Sequence, residues 1–166
     1  PHTGHIQHGD TPVLSIHHSK PNLPAGDPAY IFFTSGTTGK PKGIVGSHQS
    51  LSHFLTWQRD TFAITPADRV AQLTGLSFDV VLRDFFLPLI SGGVLCLPEE
   101  ADRQDGERVL HWLEREHITV LHTVPAVATS WLATVPKNIA LSTVRWVFFA
   151  GEPLTDQVVR KWRTAF

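Results

Sequence analysis

Residues 30–43 read YIFFTSGTTGKPKG, and the fold is decided there. Tyr30-Ile31-Phe32-Phe33 is aromatic and β-branched, which suits a strand. Ile44-Val45 starts a second apolar run. Between them, residues 34–43 hold four hydroxyls (Thr34, Ser35, Thr37, Thr38), three glycines (Gly36, Gly39, Gly43) and two lysines (Lys40, Lys42). Strand, polar loop, strand is the outline of a phosphate-binding turn. Glycines let a backbone take positive φ and approach an anion closely. Successive N–H groups in such a turn form an anion-binding nest. The hydroxyls donate to phosphate oxygens, the lysines add positive charge, and Pro41 stiffens the tip. The alternative from the residues alone is a polar surface loop. A Walker A element would need glycine where Thr34 stands. No GxGxxG dinucleotide fingerprint occurs here either.

The rest of the chain alternates strands and helices. Ser47 or His48 caps a helix to about Phe62, with Leu51, Phe54, Leu55 and Phe62 near one face. Thr65 to Asp68 is a turn, and residues 69–74 read as a strand. In LSFDVVLRDFFLPLISGG, residues Phe78, Val81, Leu82, Phe85, Phe86 and Leu89 recur at helical spacing. Pro88 is expected to bend or shorten this helix, and Ser91-Gly92-Gly93 to end it. Asp79 and Arg83, four apart, form an ordinary helical ion pair on this reading. A strand at residues 93–97, a charged loop at 99–106 and a helix at 107–117 follow, with Val109, Leu110 and Leu113 inward. Residues 118–124 form another strand, and Pro125 opens a helix. VRWVFFAGEPL reads as strand, tight turn, helix. This alternation predicts an α/β fold with a largely parallel sheet layered with helices.

Composition narrows the function classes. The chain has 166 residues, 42% hydrophobic and 17% charged, which fits a folded interior. Its net charge of −1 gives no polyelectrolyte signature for nucleic acid. The lone cysteine, Cys96, has no partner for an internal disulfide, so a reduced, cytoplasmic setting is expected. No apolar run reaches membrane-spanning length and no signal peptide is visible. Methionine is absent, so the chain reads as an internal piece of a longer protein. Residues 1–28 read as an irregular lead-in of the same domain, with a short strand at Pro12–Ile16. Their histidines, His2, His5 and His8 among them, lack the cysteine or carboxylate company of a metal site. Of the later histidines, His122 is expected nearest a pocket.

The loop TSGTTGKPKG resembles the signature of the adenylate-forming (AMP-binding) superfamily, position by position at Thr34, Ser35, Gly36, Thr37, Thr38, Gly39 and Lys42. The resemblance implies that these residues hold the ATP triphosphate and the leaving pyrophosphate, with Mg²⁺, and that Lys42 is catalytic. From Ala29 to Phe166 the chain is similar to part of the large N-terminal region of a nonribosomal peptide synthetase adenylation domain. LSFDVV resembles the FDxS-type motif of these domains, in which the aspartate, here Asp79, pairs with the α-ammonium of an amino acid. Val80 and Arg83 then fall at side-chain pocket positions. ITVLHTVPAV and VRWVFFAGEPL align Thr123, Phe148 and Ala150 with further pocket positions. Arg83 departs from the apolar residue usual there, and suggests a polar or acidic substrate side chain.

The implied reaction joins an amino acid to ATP as aminoacyl-AMP, for loading onto the phosphopantetheine of a carrier-protein domain. Family motifs for adenine and ribose, and the C-terminal lysine, are absent from these residues, so the isolated chain is expected to be inactive. Two alternatives stand beside this. One is an acyl-activating relative, against which Asp79 argues. The other is a non-catalytic nucleotide- or partner-binding module.

Overall fold

The computed structural model describes residues 23–34 and 39–166. The expectations for residues 1–22, and for Ser35, Gly36, Thr37 and Thr38, lie outside these. Strands β1 (Pro28–Thr34) and β2 (Lys42–Ser47) pair antiparallel, with register partners running from Pro28 and Ser47 to Thr34 and Lys42. The strands therefore take in Thr34, Lys42 and Gly43 of the expected loop, and the described part of the connection between them is residues 39–41. Gly39 sits there at φ 77°, the left-handed region glycine permits. At Gly46 an added Cβ would run into the Tyr30 ring, which would have to move to admit it.

Helix α1 (His48–Thr61) follows β2 directly, and Ser47 caps it by accepting from the Ser50 N–H at 3.2 Å. Four parallel strands then build a sheet in the order β4-β3-β5-β6: β3 (Arg69–Ala71), β4 (Val94–Cys96), β5 (Val120–Thr123) and β6 (Trp146–Phe149). The crossovers carry α2 (Val81–Ser91), a 3-10 turn Glu100–Arg103 with α3 (Gly106–Arg115), and α4 (Pro125–Leu132). Helix α5 (Asp156–Ala165) closes the order. The expected largely parallel sheet is present, with the hairpin as a separate antiparallel piece.

Alternation along the strands divides the core in two. Val70 and Val120 pack with Leu55 of α1 and Leu87 of α2 on one face. Ala71 and Leu121 pack with Leu110, Trp112 and Leu113 of α3 and Trp131 of α4 on the other. β5 is buried at all four positions, as a central strand covered by helices on both sides should be. Cys96 is buried and unpaired, and burial pushes its thiol pKa up.

At the N-terminal ends of three strands lies Asp68, 1% exposed. Its carboxylate accepts from the Thr119 hydroxyl at 2.7 Å, the Thr65 N–H at 2.8 Å and the Arg145 guanidinium at 2.8 and 2.9 Å. Thr119 precedes β5, Arg145 precedes β6 and Asp68 precedes β3, so one carboxylate sets the starts of three neighbours.

Several expectations are corrected. The strand at 69–74 ends at Ala71; the Gln72 N–H makes one more bond across to the Cys96 carbonyl at 2.9 Å, and the Gln72 side chain donates to the Thr74 carbonyl. The helix through Phe78 begins only at Val81, since residues 75–80 form turns, with Phe78 N–H bonded to Gly75 O and Val81 N–H to Phe78 O. Its buried face is Val81, Asp84, Leu87, Pro88 and Ser91, whereas Phe78, Phe86 and Leu89 are exposed. A tertiary contact of Asp84, described below, sets this rotation against the apolar stripe. Pro88 does not shorten the helix, which runs on to Ser91 and ends at Gly92 in the left-handed conformation, φ 70°. Asp79 and Arg83 do not share a helical face, because Asp79 precedes the helix.

Two outcomes follow from this packing. Burial alone would raise the Asp68 carboxyl, but the Thr119 and Thr65 hydrogen bonds and Arg145 outweigh it and hold the pKa below the usual carboxylate range. A depressed folded pKa adds stability above the unfolded value of about 4 and loses it as pH falls through the folded value. Asp68→Ala should therefore cost about 3 kcal/mol at neutral pH in denaturant unfolding of the full-length protein, and less in acid; an equal loss at pH 7 and pH 2 would contradict this. Gly46→Ala should cost about 1–3 kcal/mol through displacement of Tyr30, read from the same unfolding midpoint, and an unchanged midpoint would show that Tyr30 does not hold that place.

Candidate functional site

In a parallel sheet, ligands are received beyond the carboxyl ends of the strands, where neighbouring crossovers leave in opposite directions. Here β3 sends its chain to β4 on one side, and the chain then returns across to β5 on the other. A cavity of about 650 Å³ lies at that point. Its floor is the residues that follow the strands: Leu73-Thr74-Gly75 after β3, His122-Thr123-Val124 at the end of β5, and Ala150-Gly151-Glu152 after β6. Phe78, Asp79 and Val80 form the wall before α2, and Val109, Val127 and Trp131 form the wall from α3 and α4. Arg103 closes it from the 3-10 turn.

The walls are mainly apolar, with three charged groups among them. Glu152 accepts from the Ala126 N–H at 3.2 Å, placing its carboxylate at the start of α4, where negative charge is favoured. Arg103 donates through Nη2 to the carbonyl and the side-chain oxygen of Gln72, at 2.9 and 2.6 Å. Asp79 is exposed and forms no ion pair among the described residues.

Beneath the floor is a buried polar set on the α1/α2 face. The Nε2 of His122 lies 2.9 Å from Gln58 Nε2, and its Nδ1 lies 2.9 Å from Asp84 Oδ1. His122, Gln58 and Asp84 are each at most 1% exposed. With Gln58 donating to Nε2, the ring proton sits on Nδ1, toward Asp84. That approach is close but off the N–H axis, so neither Nδ1 nor Asp84 Oδ1 completes a hydrogen bond. The other Asp84 oxygen accepts from the Thr74 N–H at 3.1 Å. The set thus ties α1, α2 and β5 to the loop after β3, and His122 reaches the cavity as its position in the sequence suggested.

Of the pocket residues expected from sequence, Asp79, Val80, Thr123 and Ala150 line one cavity. Arg83 and Phe148 do not. The Arg83 guanidinium lies over the Phe54 ring, 5.4 Å from its centroid. Burial there lowers its pKa, with the Asp79 and Asp84 charges opposing. Phe148 belongs to an aromatic cluster, 4.7 Å from Phe62 and stacked on His122 at 5.1 Å between centroids. The hairpin residues Thr34, Gly39 and Lys42 are exposed, apart from the cavity lining.

Sequence reading missed Arg103, Gln58 and Asp84. Arg103 stood in a run of charges that reads as a solvated loop. Gln58 and Asp84 gave one signal in retrospect: each is a polar residue that helical spacing places beside core positions.

Comparison with known proteins agrees with this architecture. The chain is 38% identical over 136 residues to tyrocidine synthase 3 of Brevibacillus parabrevis, covering 82% of this chain and 2% of that protein. It is 33% identical over 138 residues to enterobactin synthase component F of Escherichia coli (strain K12), covering 81% of this chain and 11% of that protein. The chain therefore spans a small part of these relatives. Among solved structures, the Vibrio cholerae adenylation domain AlmE, in complex with glycyl-adenosine-5'-phosphate, superposes with a TM-score of 0.76 at 31% identity, over 86% of this chain and 27% of that one. The nonribosomal peptide synthetase FmoA3 gives a TM-score of 0.76 at 28% identity, over 85% of this chain and 15% of that one. The family described as "AMP-binding enzyme" matches residues 3–166, and the chain belongs to that family.

Proposed function

We propose that this chain is part of an amino-acid-activating adenylation domain, which forms aminoacyl-AMP from ATP and an amino acid and passes the aminoacyl group to a carrier-bound phosphopantetheine thiol. The observation that carries the reading is Asp79, an unpaired carboxylate on the wall of a mainly apolar cavity at the carboxyl ends of parallel strands. Asp79 is exposed; an amino acid entering the cavity would cover that carboxylate, and its α-ammonium would supply the matching cation. Fatty or aryl acids do not. Val80, Thr123 and Ala150 border the same space and would receive the side chain.

The chemistry is an in-line displacement. A carboxylate oxygen of the amino acid attacks the α-phosphorus of ATP, the bond from that phosphorus to the bridging oxygen breaks, and pyrophosphate leaves. Such transfers depend on positioning and charge neutralisation. The β1–β2 tip has the donor set for the leaving side. Lys40 and Lys42 are exposed there without ion-pair partners among the described residues, and Gly39 has the positive φ of a tight turn. Thr34, Ser35, Gly36, Thr37, Thr38, Gly39 and Lys42 would bind the phosphates, with Lys42 neutralising the charge that grows on pyrophosphate. Mg²⁺ suits this place because it is commonly held through substrate phosphates with few protein ligands. Among the described residues no group of three or more His, Cys, Asp or Glu side chains competes as a metal site.

In the following step the carrier domain's thiol sulfur takes the aminoacyl group from the adenylate, the acyl–phosphate bond breaks and AMP leaves. The buried free thiol of Cys96 suits a cytoplasmic setting for both, and no helix among the described residues is long and apolar enough to cross a membrane. In the full-length protein, Asp79→Ala should lower amino-acid-dependent ATP–pyrophosphate exchange at least about 100-fold, while ATP binding measured by calorimetry persists. Exchange at the wild-type rate in that variant would remove Asp79 from the site.

A further inference from the structure

The arginine that faces the cavity is Arg103, not Arg83. It ends the 3-10 turn Glu100–Arg103 and reaches the carboxyl end of β3, where both of its acceptors belong to Gln72. Gln72 is itself 5% exposed, and its amide nitrogen donates to the Thr74 carbonyl. The anchor is therefore rigid and electrically neutral. Among the described residues no carboxylate pairs with Arg103, and its Nε and Nη1 make no hydrogen bond. The carboxylate that shares the cavity, Glu152, is committed to the start of α4. Other arginines near the surface differ: Arg115 pairs with Asp102 at 3.1 Å, and Arg69 with Glu116 at 2.9 Å.

A guanidinium fixed by neutral acceptors, beside Leu73, Val109 and Trp131, with donors left over, is a receptor for a planar anion. We propose that Arg103 is a specificity-determining residue that receives a side-chain carboxylate of the substrate amino acid, while Asp79 receives the α-ammonium. This rests on the amino-acid-activation reading above. The two charges are of opposite sign in one cavity of about 650 Å³, a size suited to a small molecule with one group for each. A lysine- or arginine-type substrate would set its side-chain cation against Arg103. An aliphatic substrate would leave the guanidinium partnered only by Gln72 in apolar surroundings.

The test is ATP–pyrophosphate exchange by the full-length protein with aspartate, glutamate, asparagine, glutamine, leucine and lysine, before and after substitution. Aspartate or glutamate should exceed its own amide by about 10- to 100-fold in kcat/KM, the worth of a charged hydrogen-bonded contact. Arg103→Gln should erase that margin by raising KM for the acidic amino acid, with KM for ATP unchanged, and Arg103→Lys should restore part of it. A preference for leucine, lysine or an amide, with Arg103→Gln indistinguishable from wild type, overturns the Arg103 assignment and leaves amino-acid activation standing. Absence of exchange with every amino acid overturns activation itself and this assignment with it. If Arg103→Gln does not fold, the wild-type panel alone decides, since a neutral or basic preference overturns the proposal.

Discussion

Asp68 is the interaction on which the sheet's alignment depends. Parallel strands have no hairpin turn to set their register, so something else must fix where each begins. Here a single buried carboxylate receives bonds from the segments before β5 and β6 while standing before β3 itself. Backbone bonds extend the same registration, from Thr119 N–H to Arg69 O and from Trp146 N–H to Thr119 O. Fixing the starts of three strands also fixes where they end, and the cavity is built from those ends. Neutralising or removing that carboxylate is therefore felt across β3, β5 and β6.

The carboxyl ends are supported differently on the two faces. On the α1/α2 face, Gln58, His122 and Asp84 form a buried polar brace under the floor of the cavity. Buried polar groups are costly when incompletely partnered, and Gln58 Oε1, Asp84 Oδ1 and His122 Nδ1 are so. On the α3/α4 face the walls are mainly apolar, with Arg103 and the Glu152 carboxylate at the start of α4 as the charged exceptions. The result is a cavity braced by buried polar groups on one side and lined by apolar and charged side chains on the other. Asp79 stands between them, in the turns before α2, where no helix constrains its side chain.

Much of this was legible in the sequence because it rested on local chemistry. The aromatic and β-branched residues on either side of residues 34–43 demanded strands, and those strands run further than expected, taking in Thr34, Lys42 and Gly43. Pro125 opens α4, and Val109, Leu110 and Leu113 point inward, as their positions required. What failed depended on partners distant in sequence. The apolar stripe from Phe78 to Leu89 shares only Val81 with the buried face of α2, because Asp84 is drawn inward by His122 and the Thr74 N–H, groups 38 and 10 residues away. Once that helix starts at Val81 and turns Asp84 inward, Arg83 is carried toward Phe54 and away from the cavity. Arg103 was invisible for the converse reason: only the placement of Gln72 at the end of β3 turns a loop arginine into a wall of the site.

In the proposed complex Asp79 holds an amino acid at the carboxyl ends of β3 and β5. The most direct measurement is a structure of the full-length protein with a non-hydrolysable aminoacyl-adenylate analogue. The expected result is the ligand ammonium within hydrogen-bonding distance of Asp79, its side chain between Val80, Thr123 and Ala150, and its phosphate directed toward the β1–β2 tip. An analogue bound elsewhere, with Asp79 left in solvent, would contradict the account.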